Sequence, residues 1–191
     1  MTATPLPVPA LEPRRRSALG WAIADTRAIA WRNLVTLRRV PQLLVFSTIQ
    51  PVIFVLLFRY VFGGAIHIPG VDYVDYLMPG IFAQVVSFGA ISTGIGLAED
   101  RRNGLIERLR SLPMARVAVP SGRTNAEVVY NIGILIVLMI TGWFVGWNVH
   151  TGLLEFLAGF GLLLLFAYAM AWLGVWMGLM VPNVEVAQQV I

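Results

Sequence analysis

The chain has 191 residues, of which 58% are hydrophobic and 13% charged, and its mean hydropathy is +0.75. This composition leaves too little polar surface for a soluble globule and predicts an all-α integral membrane protein, a polytopic helical bundle. Its basic residues are all arginine, and the net charge is +4. Because the arginines flank apolar segments, we expect no nucleic-acid partner. The absence of cysteine excludes disulfides, thiolate metal sites and thiol catalysis.

The first segment, residues 1–18, contains four prolines followed by three consecutive arginines. It lacks the apolar core and cleavage site of a signal peptide, so we expect a retained, disordered cytoplasmic tail. Residues 19–40 then show helical periodicity, with Leu19, Ile23, Ala30, Leu34 and Leu37 on one face, and Asp25, Arg32 and Arg39 opposite. We predict an amphipathic interfacial helix that ends before Pro41 and either anchors the chain to lipid or docks a partner.

Four later windows are long and apolar enough to cross a membrane, for which about 20 residues suffice. The second is the most polar, with Gln84, Ser87, Ser92 and Thr93, and we expect its small and hydroxylated residues to pack among the other helices. The predicted spans are residues 43–62, 79–98, 126–147 and 153–181. External loops then fall at 63–78 and 148–152, a cytoplasmic loop at 99–125, and a further cytoplasmic segment at 182–191.

Orientation follows from the distribution of arginine. Seven arginines precede the first span and six lie between the second and third, whereas the two predicted external loops contain none. Because basic loops stay on the cytoplasmic side, we expect the N-terminus and the 99–125 loop to lie in the cytoplasm. Arg59, near the outer end of the first span, is interpreted as a side chain that reaches the headgroups, with a substrate route as the alternative.

No catalytic, cofactor or metal site is expected in this chain. A phosphate-binding loop needs a lysine, and the sequence has none. His67 and His150 are isolated in the external loops, and Asp72 and Asp75 are expected to be solvated charges. Glu127 and Glu155 are predicted near water at the ends of their spans, and their scarcity argues against a proton-driven carrier. We therefore predict a protein that is not an enzyme.

The loop after the second span carries the clearest functional signal. Leu105, Ile106, Leu109 and Leu112 fall on one side of a short predicted helix that Pro113 would end. One interpretation is a charged loop that only sets orientation. The acidic residues Glu99, Asp100 and Glu107 contribute little to orientation, however, so charges of both signs around a leucine ridge favour a docking surface for a soluble partner.

The chain resembles the membrane subunit of ABC-2 type exporters, particularly bacterial permeases of the daunorubicin and multidrug resistance type. The resemblance covers residues 21–191 and is most specific in the 99–123 loop, whose core reads Glu-Arg-Leu-Arg-Ser-Leu-Pro over 107–113. Weaker matches are Gln50-Pro51, residues 58–64 and residues 76–80. Family members have six spans in each permease subunit, so we expect this four-span chain to be a truncated version or part of a longer one.

The resemblance implies that the loop holds a coupling helix that inserts into a separate ABC ATP-binding subunit, which would bind ATP and Mg. The residues assigned to this contact are Glu99, Asp100, Gly104, Leu105, Glu107, Arg108, Leu109, Leu112 and Pro113. The other implied partners are a second permease copy, membrane lipid and a hydrophobic or amphiphilic substrate, in the bacterial cytoplasmic membrane. The alternative is a membrane scaffold that recruits a cytoplasmic protein through residues 99–113 without transporting anything.

Overall fold

The structure, a computed structural model, describes residues 18–39, 41–66, 68–110, 115 and 117–181. Predictions for residues 1–17 and 182–191, and those for His67, Leu112 and Pro113, lie outside the described residues. Over the described ranges the chain is helical and has no strand. Its elements are α1 (Ala18–Arg39), α2 (Pro41–Leu57) continued by a π-helix (Phe58–Phe62), α3 (Tyr73–Arg102), α4 (Leu105–Arg110), α5 (Ala118–Val145) and α6 (Leu153–Met180).

Four helical segments in this part of the chain are long and apolar enough to cross a membrane, which confirms the predicted number of spans. They are Val45–Phe62, α3, α5 and α6, with mean hydropathies between 1.6 and 2.2. In its most apolar window α3 is 61% buried, against 11% for α6 and 6% for Val45–Phe62. The second span is therefore the one buried among the others, as its small and hydroxylated residues indicated.

Helices α3 and α6 run in parallel and touch through their backbones. A Cβ atom at Gly174 would lie 2.1 Å from the carbonyl oxygen of Ala90, and one at Gly178 would lie 2.5 Å from that of Gly94. Only glycine permits this approach, which is how helices gain contact in lipid, where no hydrophobic effect drives them together. The four-residue spacing of Gly174 and Gly178 therefore fixes α6 along α3.

Packing between α2, α3, α5 and α6 forms the main apolar core. Its fully buried members include Val55, Met78, Leu135 and Leu138. Helix α5 ends at Gly146, which adopts a positive φ of 96° while the following Trp147 N–H donates to the carbonyl of Gly142 at 2.8 Å. This left-handed cap turns the chain back over the core.

The bundle has two ends, which we name by their sequence. The basic end holds the end of α3, helix α4 and the start of α5, whereas the loop end holds residues 63–72 and 146–152. At the loop end Asp75 accepts a hydrogen bond from Asn148 N at 3.4 Å and lies 3.4 Å from His150 Nδ1. Asp75 is thus partly buried and links α3 to the α5–α6 connection, which corrects the expectation of a solvated charge.

Helix α1 packs along the start of α5. Ile29 is buried, and a Cβ at Gly122 would lie 2.7 Å from two of its side-chain atoms. The face that packs differs from the predicted apolar face, because Ile23 is 68% exposed. Proline at the first position of the next helix is compatible with helix geometry, so α2 begins at Pro41 with only residue 40 between the two helices.

Candidate functional site

Those residues predicted to couple the chain to an ATPase that the structure describes lie together at the basic end. Helix α3 ends at Arg102, and α4 begins three residues later, after the turn formed by Asn103 and Gly104. Gly104 has a φ of +66°, its N–H donates to Arg101 O at 3.0 Å, and its carbonyl accepts from Arg108 N at 3.1 Å. The left-handed conformation favours glycine here, so Gly104 fixes the angle between α3 and α4.

Helix α4 presents a charged face outward. Glu107 and Arg108 are exposed, whereas Leu105, Ile106 and Leu109 are partly buried. Part of the leucine ridge is thus already covered within this chain, where α4 packs against the end of α3. A helix of six residues is too short to be stable alone in water, so this packing and the flanking contacts hold it in place.

Two of the predicted coupling residues differ in their surroundings. Glu99 is exposed, but Asp100 points into the bundle, where its Oδ2 lies 2.7 Å from Arg123 Nη1 of α5. The same oxygen lies 3.9 Å from Arg32 Nη2 of α1. Asp100 therefore joins three helices, with 21% of its side chain exposed, and its predicted role in coupling stays a prediction.

A glycine on α3 leaves room for the ion pair between Asp100 and Arg123. A Cβ placed on Gly96, one turn before Asp100, would lie 1.5 Å from Arg123 Nη2. The guanidinium group consequently lies against α3 at Gly96, where a larger residue would displace it. Both partners are partly buried, with 23% and 21% of their side chains exposed, so the pair is better shielded from solvent than a surface ion pair.

The segment that follows α4 is also tied to α1. The backbone N–H of Ala115 donates a hydrogen bond to Asp25 Oδ2 at 3.1 Å. Asp25 and Arg32 occupy the side of α1 that was predicted to be polar. They contact Ala115 and Asp100, so α1 holds the chain on both sides of α4.

A second feature, absent from the predicted site, is a cavity of about 280 Å³ between the middle parts of α2, α3 and α5. Seven of its thirteen lining residues are polar, although it lies between three apolar helices. The polar lining residues are Ser47, Gln50, Gln84, Ser92, Glu127, Tyr130 and Asn131, and the other lining residues are Pro51, Phe54, Val85, Phe88, Gly89 and Ile134. Sequence reasoning noted Gln84, Ser92 and Glu127 separately but did not place them together.

Glu127 differs most from its sequence prediction. Its helix begins nine residues earlier, at Ala118, and its Oε1 atom is buried instead of lying near water. The Thr93 hydroxyl lies beside this carboxylate, yet Thr93 Oγ1 and Glu127 Oε1 make no well-formed hydrogen bond within the described ranges. Across the same cavity, the hydroxyl groups of Ser47 and Tyr130 share a hydrogen bond that joins α2 to α5.

The described residues contain no group of three or more histidine, cysteine, aspartate or glutamate side chains that is arranged to hold a metal ion. The site consists of two parts. One is the charged face of α4, held between contacts to α1, and the other is the polar cavity nearer the middle of the bundle.

Comparison with known proteins agrees with the resemblance seen in the loop. A family model described as ABC-2 type transporter matches residues 24–191. The chain is 26% identical over 170 residues to the daunorubicin resistance ABC transporter permease protein DrrB1 of Streptomyces coeruleorubidus, covering 89% of this chain and 60% of that protein. It thus spans about 60% of that relative's length.

A shorter match is to the doxorubicin resistance ABC transporter permease protein DrrB of two Mycobacterium tuberculosis strains. Identity there is 32% over 91 residues, which is 48% of this chain and 31% of those proteins. No solved structure matches the chain.

Proposed function

The chain belongs to the ABC-2 type transporter family, and from that premise we propose that it is the permease subunit of an ATP-driven exporter. It would act in the bacterial cytoplasmic membrane with a second permease copy and would move a hydrophobic or amphiphilic compound outward. ATP and Mg would bind to a separate ATPase subunit. The relatives' names, which refer to drug resistance and to ABC transporter permeases, support this assignment.

The observation that carries the proposal is the position of α4. Its Glu107 and Arg108 are exposed, and the chain on either side of it is tied to α1 through Asp100 and Ala115. A partner that binds this face would push on α1, α3 and α5 together. Displacement of α4 would therefore move the membrane helices and not merely bend a loop.

The free energy available to move the helices cannot exceed the difference between the binding free energies of α4 for the open and closed states of the ATPase. Closure of two ATPase subunits around ATP would press on residues 99–113, and α3 and α5, which leave this region in opposite directions along the chain, would carry the motion into the bundle. The Asp100–Arg123 ion pair joins α3 to α5 at the point where the load is applied.

We would test the proposal by co-purifying the chain with its candidate ATPase and measuring ATP hydrolysis with and without substrate. Glu107→Arg reverses the charge on the exposed face, and Gly104→Pro removes both the left-handed turn and the N–H donated to Arg101. Both variants should reduce complex formation by about tenfold or more. The matched control is Glu155→Arg, which reverses an exposed charge at the start of α6 and should bind the ATPase normally.

Two results would contradict the proposal. Equal complex formation by wild type, Glu107→Arg and Gly104→Pro would remove α4 from the interface. Normal complex formation without any change in ATP hydrolysis when substrate is added would favour the scaffold, which recruits a partner but does not transport.

A further inference from the structure

We propose that the cavity between α2, α3 and α5 is a binding site for the positively charged, aromatic part of an amphiphilic organic cation. This inference rests on the proposed export function, for which it names a substrate class and a location within one permease chain. Three features carry it: the charge of the cavity wall, the uncompensated polar atoms beside it, and its shape.

The charge of the wall is the first feature. Among its thirteen lining residues Glu127 is the one ionisable acid, and no arginine or histidine lines the cavity. Arg123, one helical turn before Glu127, is the obvious neutralising partner, but its Nη1 lies 2.7 Å from Asp100. The cavity wall therefore carries one carboxylate and no basic side chain, while Arg123, which also acts on Glu127, is paired with Asp100; this arrangement disfavours anionic ligands and favours cationic ones.

The buried polar atoms are the second feature. Glu127 Oε1 and Thr93 Oγ1 are both buried without a well-formed hydrogen bond within the described part of the chain. Buried polar atoms in proteins are almost always paired, because leaving one unpaired costs free energy. An ionisable residue inside a membrane-spanning helix is expensive for the same reason and is usually there for function. A bound ammonium group would supply the missing donor.

Glycine shapes the wall around this carboxylate. A Cβ at Gly89 of α3 would lie 3.0 Å from Glu127 Oε1 and 2.8 Å from Asn131 Nδ2. Either contact would require the neighbouring polar group to shift. Gly89 thus leaves room for the carboxylate and the amide of α5 side by side against α3, where both line the cavity.

Aromatic and amide groups complete the ligand chemistry. Phe54 of α2, Phe88 of α3 and Tyr130 of α5 contribute one ring from each helix, and rings of this kind attract organic cations through their faces. A metal ion such as Ca²⁺ prefers six to eight oxygen ligands, usually including several carboxylates, and this wall offers one carboxylate among apolar surfaces. An organic cation fits the donor set better.

The size and opening of the cavity indicate which part of the ligand it takes. Its volume of about 280 Å³ is just below the range of roughly 300–1,000 Å³ that is typical for drug-sized ligands. Gln50, Gln84, Phe88 and Ser92 line it and are also exposed, so the cavity opens at the surface of the bundle. A charged head and an adjoining ring would fit inside, and the rest of an amphiphile would extend outward.

The test is equilibrium dialysis of ethidium, a planar aromatic cation, against the full chain in nanodiscs of phosphatidylcholine, with empty nanodiscs subtracted. Glu127→Gln keeps the shape of the side chain and removes its charge, and it should weaken saturable ethidium binding by about tenfold. Glu127→Asp keeps the charge and should bind within about threefold of wild type. Glu155→Gln, an exposed carboxylate outside the cavity, is the matched control and should bind as wild type does.

An aromatic anion, 8-anilinonaphthalene-1-sulfonate, provides the charge control and should show no Glu127-dependent binding. Saturable ethidium binding that is lost in Glu127→Gln and kept in Glu155→Gln supports the site. Absence of saturable binding by wild type, or equal binding by wild type and Glu127→Gln, overturns it.

This test and the test of the proposed function can fail independently, because ATPase binding is measured with variants of α4 and ethidium binding with variants of the cavity. If Glu107→Arg loses the ATPase while Glu127→Gln binds ethidium as wild type does, the cavity inference fails and the permease assignment stands. If the chain binds no ATPase but ethidium binding still depends on Glu127, the site stands and the coupling proposal fails.

Discussion

The two faces of α3 differ in how closely they approach their neighbours. On the α6 side the backbones meet at Gly174 and Gly178, with no room for even one extra carbon atom. On the α2 and α5 side, Gln84, Gly89 and Ser92 border a cavity of about 280 Å³. Small residues on one face of a helix thus produce a tight contact, whereas on the other face they preserve space around polar groups. We expect the first face to contribute more to stability, and we propose that the second binds a ligand.

A larger side chain at the contact between α3 and α6 should have the largest effect on stability. Gly174→Leu would force α6 away from Ala90, because the carbonyl oxygen lies 2.1 Å from the new Cβ. We expect a loss of about 3 kcal/mol, at the upper end for overpacking, and a melting temperature roughly 10 °C lower by circular dichroism in detergent. Gly159→Leu is the control on the same helix, since a Cβ there meets nothing within 4 Å. Equal melting temperatures for the two variants would show that α3 and α6 do not pack this way.

Breaking the ion pair at the basic end should have an intermediate effect. Asp100→Asn removes the charge that Arg123 contacts at 2.7 Å and should cost about 2 kcal/mol, as expected for a charged, partly buried hydrogen bond. A double-mutant cycle with Arg123→Gln should give a coupling energy of about 1 to 2 kcal/mol. Asp72→Asn, at an exposed acid near the loop end, should change stability by less than about 0.5 kcal/mol. Additivity of the Asp100 and Arg123 variants would contradict the contact.

The smallest effect on stability is expected on the face of α3 that borders the cavity. Glu127→Gln removes a buried carboxylate whose Oε1 atom makes no hydrogen bond within the described residues, so unfolding free energy should fall by less than about 0.5 kcal/mol or should rise. Thermal unfolding of the ligand-free chain measures this. A large loss of stability would mean that Glu127 holds α5 to α3 and that its role is structural.

The sequence predicted the spans because they depend on local composition. Length and hydropathy located four helices, and the hydroxylated and small residues of the second span indicated that it is the buried one. The left-handed turn at Gly104 was not predicted from sequence, although Gly104 was named among the coupling residues. The spans were predictable because they depend on local and periodic patterns, which are visible in a single sequence.

The features that were not predicted from sequence depend on how the helices pack against one another. Asp100 was assigned to the docking surface because it lies among charged residues, but the rotation of α3 against α5 turns it toward Arg123. The cavity unites residues from three helices, such as Gln50, Gln84 and Asn131, that are tens of positions apart. The one feature of the sequence that pointed to this cavity was the presence of polar residues inside apolar windows. Sequence spacing could not show that they share a wall.

The most direct test of the central claim is cross-linking to the ATPase from each end of the bundle. The chain has no cysteine, so a single cysteine placed at the exposed Glu107 of α4 or the exposed Thr151 of the loop end gives a matched pair of probes. With a reagent that carries a thiol-reactive group at one end and a photoreactive group at the other, Glu107→Cys should cross-link to the ATPase subunit, and Thr151→Cys should not. Cross-linking from Thr151→Cys, or from neither position in a complex that co-purifies, would contradict the assignment of α4 as the coupling helix.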